Sequence, residues 1–338
     1  MSSFPPELVV DILSWLAPED LIRCMCVCKA WNAFIRGENF IKSHLQRSIQ
    51  TNSTRSILLT SSDSVLFSLP FGGKETFGSA VKIVPALKDT WILRLGCTLE
   101  PLPPLVSGRS ALYGFGYDSA NADYNLVGVI EFYNSKNVIV SSRVELYSLK
   151  SNSWKSIQNM PCDGFKVYPI CSRRLLFISG ALCWLMHNNT NWLIILSLDL
   201  ASEKYGQFST PYVGNGRTYL LLDVLRGYLC FCVNYWSARH DVWIMKEYGV
   251  AESWTFLFSV EMKVLPMGFD LLCKPLVFSE NGDMVLLTND NGGIYWYDLE
   301  KKNFKRVEIH GEPSTYTATV CVGSLCLLDG DYVVAERQ

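Results

Sequence analysis

Four aromatic residues constrain this chain more than any other feature. Trp154, Tyr205, Trp254 and Phe304 stand 51, 49 and 50 residues apart. Each follows a β-prone run and a short polar turn: Val144–Leu149 before Trp154, Ile194–Leu200 before Tyr205, Val242–Met245 before Trp254, and Ile294–Leu299 before Phe304. The pattern predicts a strand, a tight turn, and a further strand opened by an aromatic ring. A second series precedes the first. Gly180, Gly227, Gly282 and Gly323 each lead into a short apolar run. Glycine permits a sharp bend, and the run after it predicts a buried inner strand.

A period near fifty residues is that of a kelch-like β-propeller blade. Radial repetition also protects the edges of a large antiparallel sheet. The β-rich part of the chain would hold roughly six units at ~50 residues each. The register breaks early. Phe67-Ser68-Leu69 looks like a first copy of Tyr147-Ser148-Leu149, yet the two lie 80 residues apart. The stretch Pro85–Pro104, with Trp91 opening its surviving strand, reads as a shortened unit lacking about twenty residues of the period.

Before residue 50 the period is helical instead. Pro5 and Pro6 sit where a first helical turn tolerates missing N–H groups. Leu8, Val9, Ile12, Leu13 and Leu16 then form one broad apolar stripe. Pro18 ends that helix and starts a second, which carries Leu21, Ile22 and Met25. A third is expected over Cys28–Ile35 and a fourth over Glu38–Arg47, followed by a polar linker from Ser48 to Arg55. Fewer than fifty residues make a poor independent core. Four short helices this apolar should expose part of their surface, which then serves either as a partner site or as a cap on the following domain. Periodicity does not choose between the two.

The 338 residues suit about two domains. Apolar residues make up 49% and charged residues 18%, enough to bury a large core and too apolar for a disordered chain. Thirty basic against thirty-two acidic side chains leave a net charge of −2, which argues against a nucleic-acid partner held by bulk electrostatics. No run approaches the ~20 apolar residues of a membrane span, and the N-terminus lacks the features of a signal peptide. The expected compartment is cytoplasmic or nuclear, with the twelve cysteines reduced and mostly buried.

Chemistry-bearing patterns are sparse. Cys24-x-Cys26-x-Cys28 on a helix would send successive thiols about 200° apart, a poor metal site. Cys230 and Cys232 on a strand share one face but lack further ligands, so they read as core. The histidines, His44, His187, His240 and His310, are scattered. Gly114-Phe115-Gly116 reads as a β-turn rather than a nucleotide loop, and Asn289–Gly293 as a hairpin turn. No cofactor and no metal are expected. Loop aromatics Tyr168, Trp192, Tyr212, Tyr235 and Trp236 are the candidates for gripping a partner, because interfaces favour such side chains.

The order of residues adds a family likeness. Pro5-Pro6-Glu7-Leu8 through Leu16, then Leu21 through Cys26-Val27-Cys28-Lys29-Ala30-Trp31, then Phe40-Ile41 through His44-Leu45, strongly resemble an F-box. Phe4 in place of the usual leucine and Ala17 in place of a common proline are its departures. The resemblance implies docking on the Skp adaptor of a Skp–cullin–F-box ubiquitin ligase, with Pro5, Leu8, Ile12, Leu16, Leu21, Val27 and Trp31 facing the adaptor. Tyr113–Tyr124, Ser151–Trp154 and Val242–Trp254 are similar to the plant F-box-associated domain, the kelch-related half of a family that includes the S-locus F-box proteins. The Gly-x-x-Asn-Gly strand and Asn-Pro turn usual in that domain are missing from Phe71–Leu102.

The expected architecture is an α+β multidomain chain. A helical F-box occupies residues 1–50, and an all-β kelch-like propeller of roughly six blades, one shortened, occupies residues 51–338. The resemblance implies a non-catalytic subunit that recruits an unidentified protein substrate for ubiquitination and proteasomal degradation. Its partners would be a Skp-family adaptor and, through it, a cullin. The alternative is an interaction protein acting outside a ligase or impaired in substrate capture by the shortened blade.

Overall fold

A computed structural model of the chain describes residues 6–51, 55–61, 65–70, 77, 79–83, 109–134, 138–161, 165, 175–187, 193–211, 218–235, 239–261, 273–289 and 293–322. These residues form two compact units.

The first unit opens with four helices: α1 (Pro6–Ser14), α2 (Pro18–Met25), α3 (Lys29–Ile35) and α4 (Glu38–Thr51). Ala17 is extended at φ −65° and ψ 152°, as the residue before a proline must be, and Pro18 then opens α2. Cys28 is also extended, and its sulfur accepts the Trp31 N–H at 3.4 Å, so it caps α3. Leu13, Leu21, Ile35 and Phe40 form a small core that Val9, Leu16, Met25 and Trp31 flank. The expected linker from Ser48 is shorter in fact. α4 runs on to Thr51 with Ser48 buried, and the helix touches the last described strand, β20 below.

Five four-stranded antiparallel sheets follow among the described residues. Strands β1 (Arg55–Ser61), β2 (Leu66–Pro70) and β3 (Val81–Ile83) belong to the first. The second holds β4 (Arg109–Asp118), β5 (Asp123–Tyr133), β6 (Ile139–Ser148) and β7 (Ser153–Ser156). The third holds β8 (Leu176–Ile178), β9 (Ala181–His187), β10 (Leu193–Asp199) and β11 (Tyr205–Ser209). The fourth holds β12 (Thr218–Leu225), β13 (Tyr228–Tyr235), β14 (Arg239–Met245) and β15 (Trp254–Glu261). The fifth holds β16 (Lys274–Phe278), β17 (Met284–Thr288), β18 (Ile294–Asp298) and β19 (Phe304–Arg306). The last strand, β20 (Tyr316–Val322), returns to pair with β1, from Arg55 opposite Val322 to Ser61 opposite Tyr316. The first sheet is therefore built from both ends of the β-rich sequence, in the order β20-β1-β2-β3, and lies in the unit that holds the helices. The other four sheets make the second unit.

This order explains the broken register. Phe67 lies in β2 and Tyr147 in β6, each the third strand of its sheet, so they are equivalent positions of successive sheets. Their separation of 80 spans the whole connection from β3 to β4. The shortened unit expected at Pro85–Pro104 lies outside the described residues, as does Gly323 of the glycine series.

The fifty-residue aromatics open fourth strands. Tyr205, Trp254 and Phe304 are the first residues of β11, β15 and β19, and Trp154 is the second of β7. All four turns before them place a residue in the left-handed region: Asn152, Glu203, Gly249 and Lys302, at φ 51°, 54°, 83° and 53°. Aspartates order two of these turns. Asp199 accepts the Ser202 N–H at 2.7 Å, and Asp298 accepts those of Glu300 and Lys301 at 3.0 and 2.8 Å. The aromatics also join consecutive sheets: the Tyr205 hydroxyl donates to the Gln158 carbonyl at 2.9 Å, and Trp254 Nε1–H to the Ser209 carbonyl at 2.9 Å.

Apolar cores fill the spaces between consecutive sheets of the second unit. Val127, Val144, Leu182 and Leu196 meet between the second and third sheets, Cys183, Ile195 and Phe231 between the third and fourth, and Cys230, Val242, Val285 and Leu287 between the fourth and fifth. Here one expectation fails. Gly114-Phe115-Gly116 is not a turn; it lies inside β4. A Cβ at Gly116 would stand 2.4 Å from the Phe177 ring, and one at Gly114 would stand 2.5 Å from the Leu175 Cβ. The glycines are there because the neighbouring sheet's side chains occupy the space.

Candidate protein interface

The helices of the first unit carry more apolar surface than their core consumes. On α1, Val9, Leu13 and Leu16 turn inward. Leu8, Ile12 and Trp15 recur at helical spacing on another side and are 52%, 57% and 57% exposed. Ile22 on α2 and Val27 in the following turn are exposed as well, at 55% and 65%. A helix apolar on two sides is one whose second side is meant to be covered. Burying a large aliphatic side chain is worth ~1.5–3 kcal/mol, so finishing the burial of a half-exposed one gains about 1 kcal/mol.

The exposed side is held on a rigid base. His44 Nε2 lies 2.8 Å from the Leu16 carbonyl, and the Asn32 amide donates to the Met25 carbonyl at 3.2 Å. Arg47 of α4 pairs with Asp11 at 3.3 Å, meets the Ser14 hydroxyl, and stacks its guanidinium 4.3 Å from the Trp15 ring centroid. Trp15 is thereby fixed although more than half exposed.

The expected adaptor-facing residues fall into three environments. Leu8, Ile12 and Val27 are exposed. Leu16 and Trp31 are half-buried against the core. Leu21 is fully enclosed at 0% exposure, so it supports the face from beneath rather than lining it. Pro5 lies outside the described residues. Trp15 and Ile22, absent from that set, are exposed too; Ile22 lies on the apolar side expected of the second helix, and Trp15 falls outside the stripe expected of the first.

In the second unit, Tyr168, Trp192, Tyr212 and Trp236 lie outside the described residues. Tyr235 is described and ends β13. The Arg239 guanidinium sits 4.8 Å from its ring centroid, while Arg239 Nε donates to both Asp241 oxygens at 2.9 and 3.0 Å. Ser259 donates its hydroxyl to the same carboxylate at 2.7 Å. Burial raises the Tyr235 phenol, Asp241 adds to the rise, and Arg239 opposes it. Beside this cluster His240 is buried, and Nε2 finds no hydrogen-bond partner. Burial lowers its pKa to about 4 despite the Asp241 charge. The cluster is a braced polar corner, in which one carboxylate is shared between the Arg239 guanidinium and the Ser259 hydroxyl.

Among the described residues no group of three His, Cys, Asp or Glu side chains could hold a metal ion, and no helix is long and apolar enough to cross a membrane. Cys230 and Cys232 do share one buried face, with sulfurs 3.7 Å apart. Cys24, Cys26 and Cys28 do not share one helix. Cys24 lies in α2, Cys26 closes it, and Cys28 is the extended cap of α3.

Known proteins agree with this division. The family model described as F-box-like matches residues 1–47, and that described as F-box associated beta propeller domain matches residues 85–327. The chain is 32% identical to F-box protein CPR1 of Arabidopsis thaliana, over 97% of this chain and 89% of that one. It is 26% identical to F-box protein At4g22390 of the same plant, over 100% and 94%. Among solved structures, a fucose-specific lectin from Aleuria aurantia matches at 12% identity and a TM-score of 0.36, over 75% of this chain and 73% of that one, a likeness too slight to carry weight. With an F-box-like segment at its head and the associated propeller domain behind it, the chain belongs to the F-box proteins that carry an F-box associated beta propeller domain.

Proposed function

We propose that this protein is the substrate-recognition subunit of a Skp–cullin–F-box ubiquitin ligase and is itself non-catalytic. The second apolar side of α1 carries the reading: Leu8 and Ile12 are more than half exposed although the same helix already fills a core with Leu13. A Skp-family adaptor would cover that side together with Ile22 and Val27, by helix-in-groove packing. The sheets of the second unit would hold a protein client, with the corner of Tyr235 and Arg239 among its contacts. Ubiquitin transfer would be left to the conjugating enzyme of the ligase, which acts on client lysines held at high effective concentration. The place of action would be the cytosol or nucleus, where the eight described cysteines, all free, stay reduced.

A reconstituted complex tests the reading. The full chain should co-purify with adaptor and cullin, and affinity capture with the proteasome blocked should recover a ubiquitinated client. Leu8→Asp with Ile12→Asp should remove adaptor and cullin while the circular-dichroism spectrum and melting temperature of the chain stay unchanged. A folded double variant that still carried the adaptor would overturn the docking face.

A further inference from the structure

The described cysteines fall into two populations. Cys183, Cys230, Cys232 and Cys273 are buried between sheets, while Cys24 in α2 and Cys321 in the first sheet are half-buried. Burial pushes the Cys183 thiol up to about 12 and raises those of Cys273 and Cys321. Such thiols are protonated and shielded, hence inert. Only Cys26 and Cys28 are exposed among the described cysteines. They stand on either side of Val27, which at 65% is the most exposed of the large apolar residues described. An open cavity of about 380 Å³ adjoins them, lined by Met25, Cys26, Cys28, Lys29, Asn32 and Ala33. The Cys28 sulfur also caps α3 through the Trp31 N–H.

We propose that Cys26 and Cys28 form a thiol–disulfide exchange site for a small acidic disulfide of the glutathione type, and that its occupation blocks adaptor docking. The proposal rests on the docking reading above. One thiol, as thiolate, attacks a sulfur of oxidised glutathione. The disulfide bond of the reagent breaks, a mixed disulfide forms on the protein, and the released glutathione thiolate takes up a proton. The added tripeptide carries two carboxylates, for which the cavity lining offers one cationic residue, Lys29. A charged adduct on either side of Val27 prevents that side chain from being buried in an apolar groove. An adduct on Cys28 also removes the cap of α3.

The test uses the full chain. Reduced protein is exposed to oxidised glutathione, the adduct is mapped by peptide mass spectrometry, and binding to a Skp-family adaptor is measured before and after. The first adduct should map to Cys26 or Cys28, adaptor affinity should fall about tenfold or more, and dithiothreitol should restore it. Cys26→Ser with Cys28→Ser should bind the adaptor normally and ignore the reagent. Adducts confined to other cysteines, or a chain modified at Cys26 or Cys28 that binds as tightly as before, would overturn the proposal. Reduced chain that never binds the adaptor would overturn the docking reading and with it the blocking role, while the mapped adduct would still judge the exchange site separately.

Discussion

Gly227 and Gly116 are glycines for opposite reasons. Gly227 has φ +79° beside Arg226 at +54°, the two left-handed residues of the tight turn joining β12 to β13, and a Cβ there would meet nothing within 4 Å. Its requirement is conformational, and a glycine before an apolar run announced it. Gly116 lies in an ordinary strand, and its requirement is the Phe177 ring of the next sheet. No local pattern reports a neighbour sixty residues away, so the sequence made Gly116 look like a turn. Leu21 and Ile22 pose the same difficulty. Both are apolar neighbours on one helix, yet the first is enclosed and the second exposed, because only tertiary packing decides how far round the helix the covered side extends. His240 offers a measurable consequence of burial. Its pKa is about 4 in the folded chain against 6.5 when unfolded. Above pH 6.5 both states hold it neutral and the stability is fully present. As pH falls from 6.5 toward 4 the unfolded chain gains a proton that the folded chain refuses, at a cost of about 3 kcal/mol. Urea midpoints at pH 7 and pH 4.5 should therefore draw together for wild type and His240→Gln, with wild type losing the more on acidification. Parallel losses would show that His240 titrates normally in the fold.

At the scale of elements, the aromatic period is a device for joining sheets. Tyr205 donates to the strand end of the sheet before it, and Trp254 does the same one sheet later. The ring fills the gap between sheets while the polar tip satisfies a carbonyl at its rim. The spacing of these residues was visible because each sheet repeats the same third strand, turn and fourth strand. The joining of β20 to β1 was not, since a single pairing between distant segments leaves no period. The extra turn of α4 was hidden for a related reason: Ser48 and His44 are polar residues that the fold buries. Tyr205→Phe removes one hydrogen bond and keeps the ring, whereas Trp254→Phe removes one hydrogen bond and also trims the indole to a smaller ring. The first should lower stability by about 1 kcal/mol in chemical denaturation and the second by more. Because the two bonds join different sheet pairs, the double variant should show the sum. A pair of substitutions without effect would mean the rings act by packing alone.

For the whole molecule, the decisive asymmetry is between apolar surface that is used and apolar surface that is left over. The sheets bury most of theirs between one another and leave only scattered residues such as Val81, Val140 and Phe256 in solvent among those described. The helices keep Leu8, Ile12, Trp15, Ile22 and Val27 in solvent around a core of only a few side chains. A partner that binds only the folded helices would stabilise them by mass action as well as cover them. Association costs several kcal/mol in lost freedom, so the face must gain from several residues at once and should be sensitive to a charge placed at any of them. Isothermal titration of the full-length chain with a Skp-family adaptor at several temperatures tests this most directly. Wild type should bind with a negative heat-capacity change, the mark of apolar burial, and Leu8→Asp with Val27→Asp should abolish binding without altering the fold. Binding with no heat-capacity change, or unchanged binding by the double variant, would contradict the account.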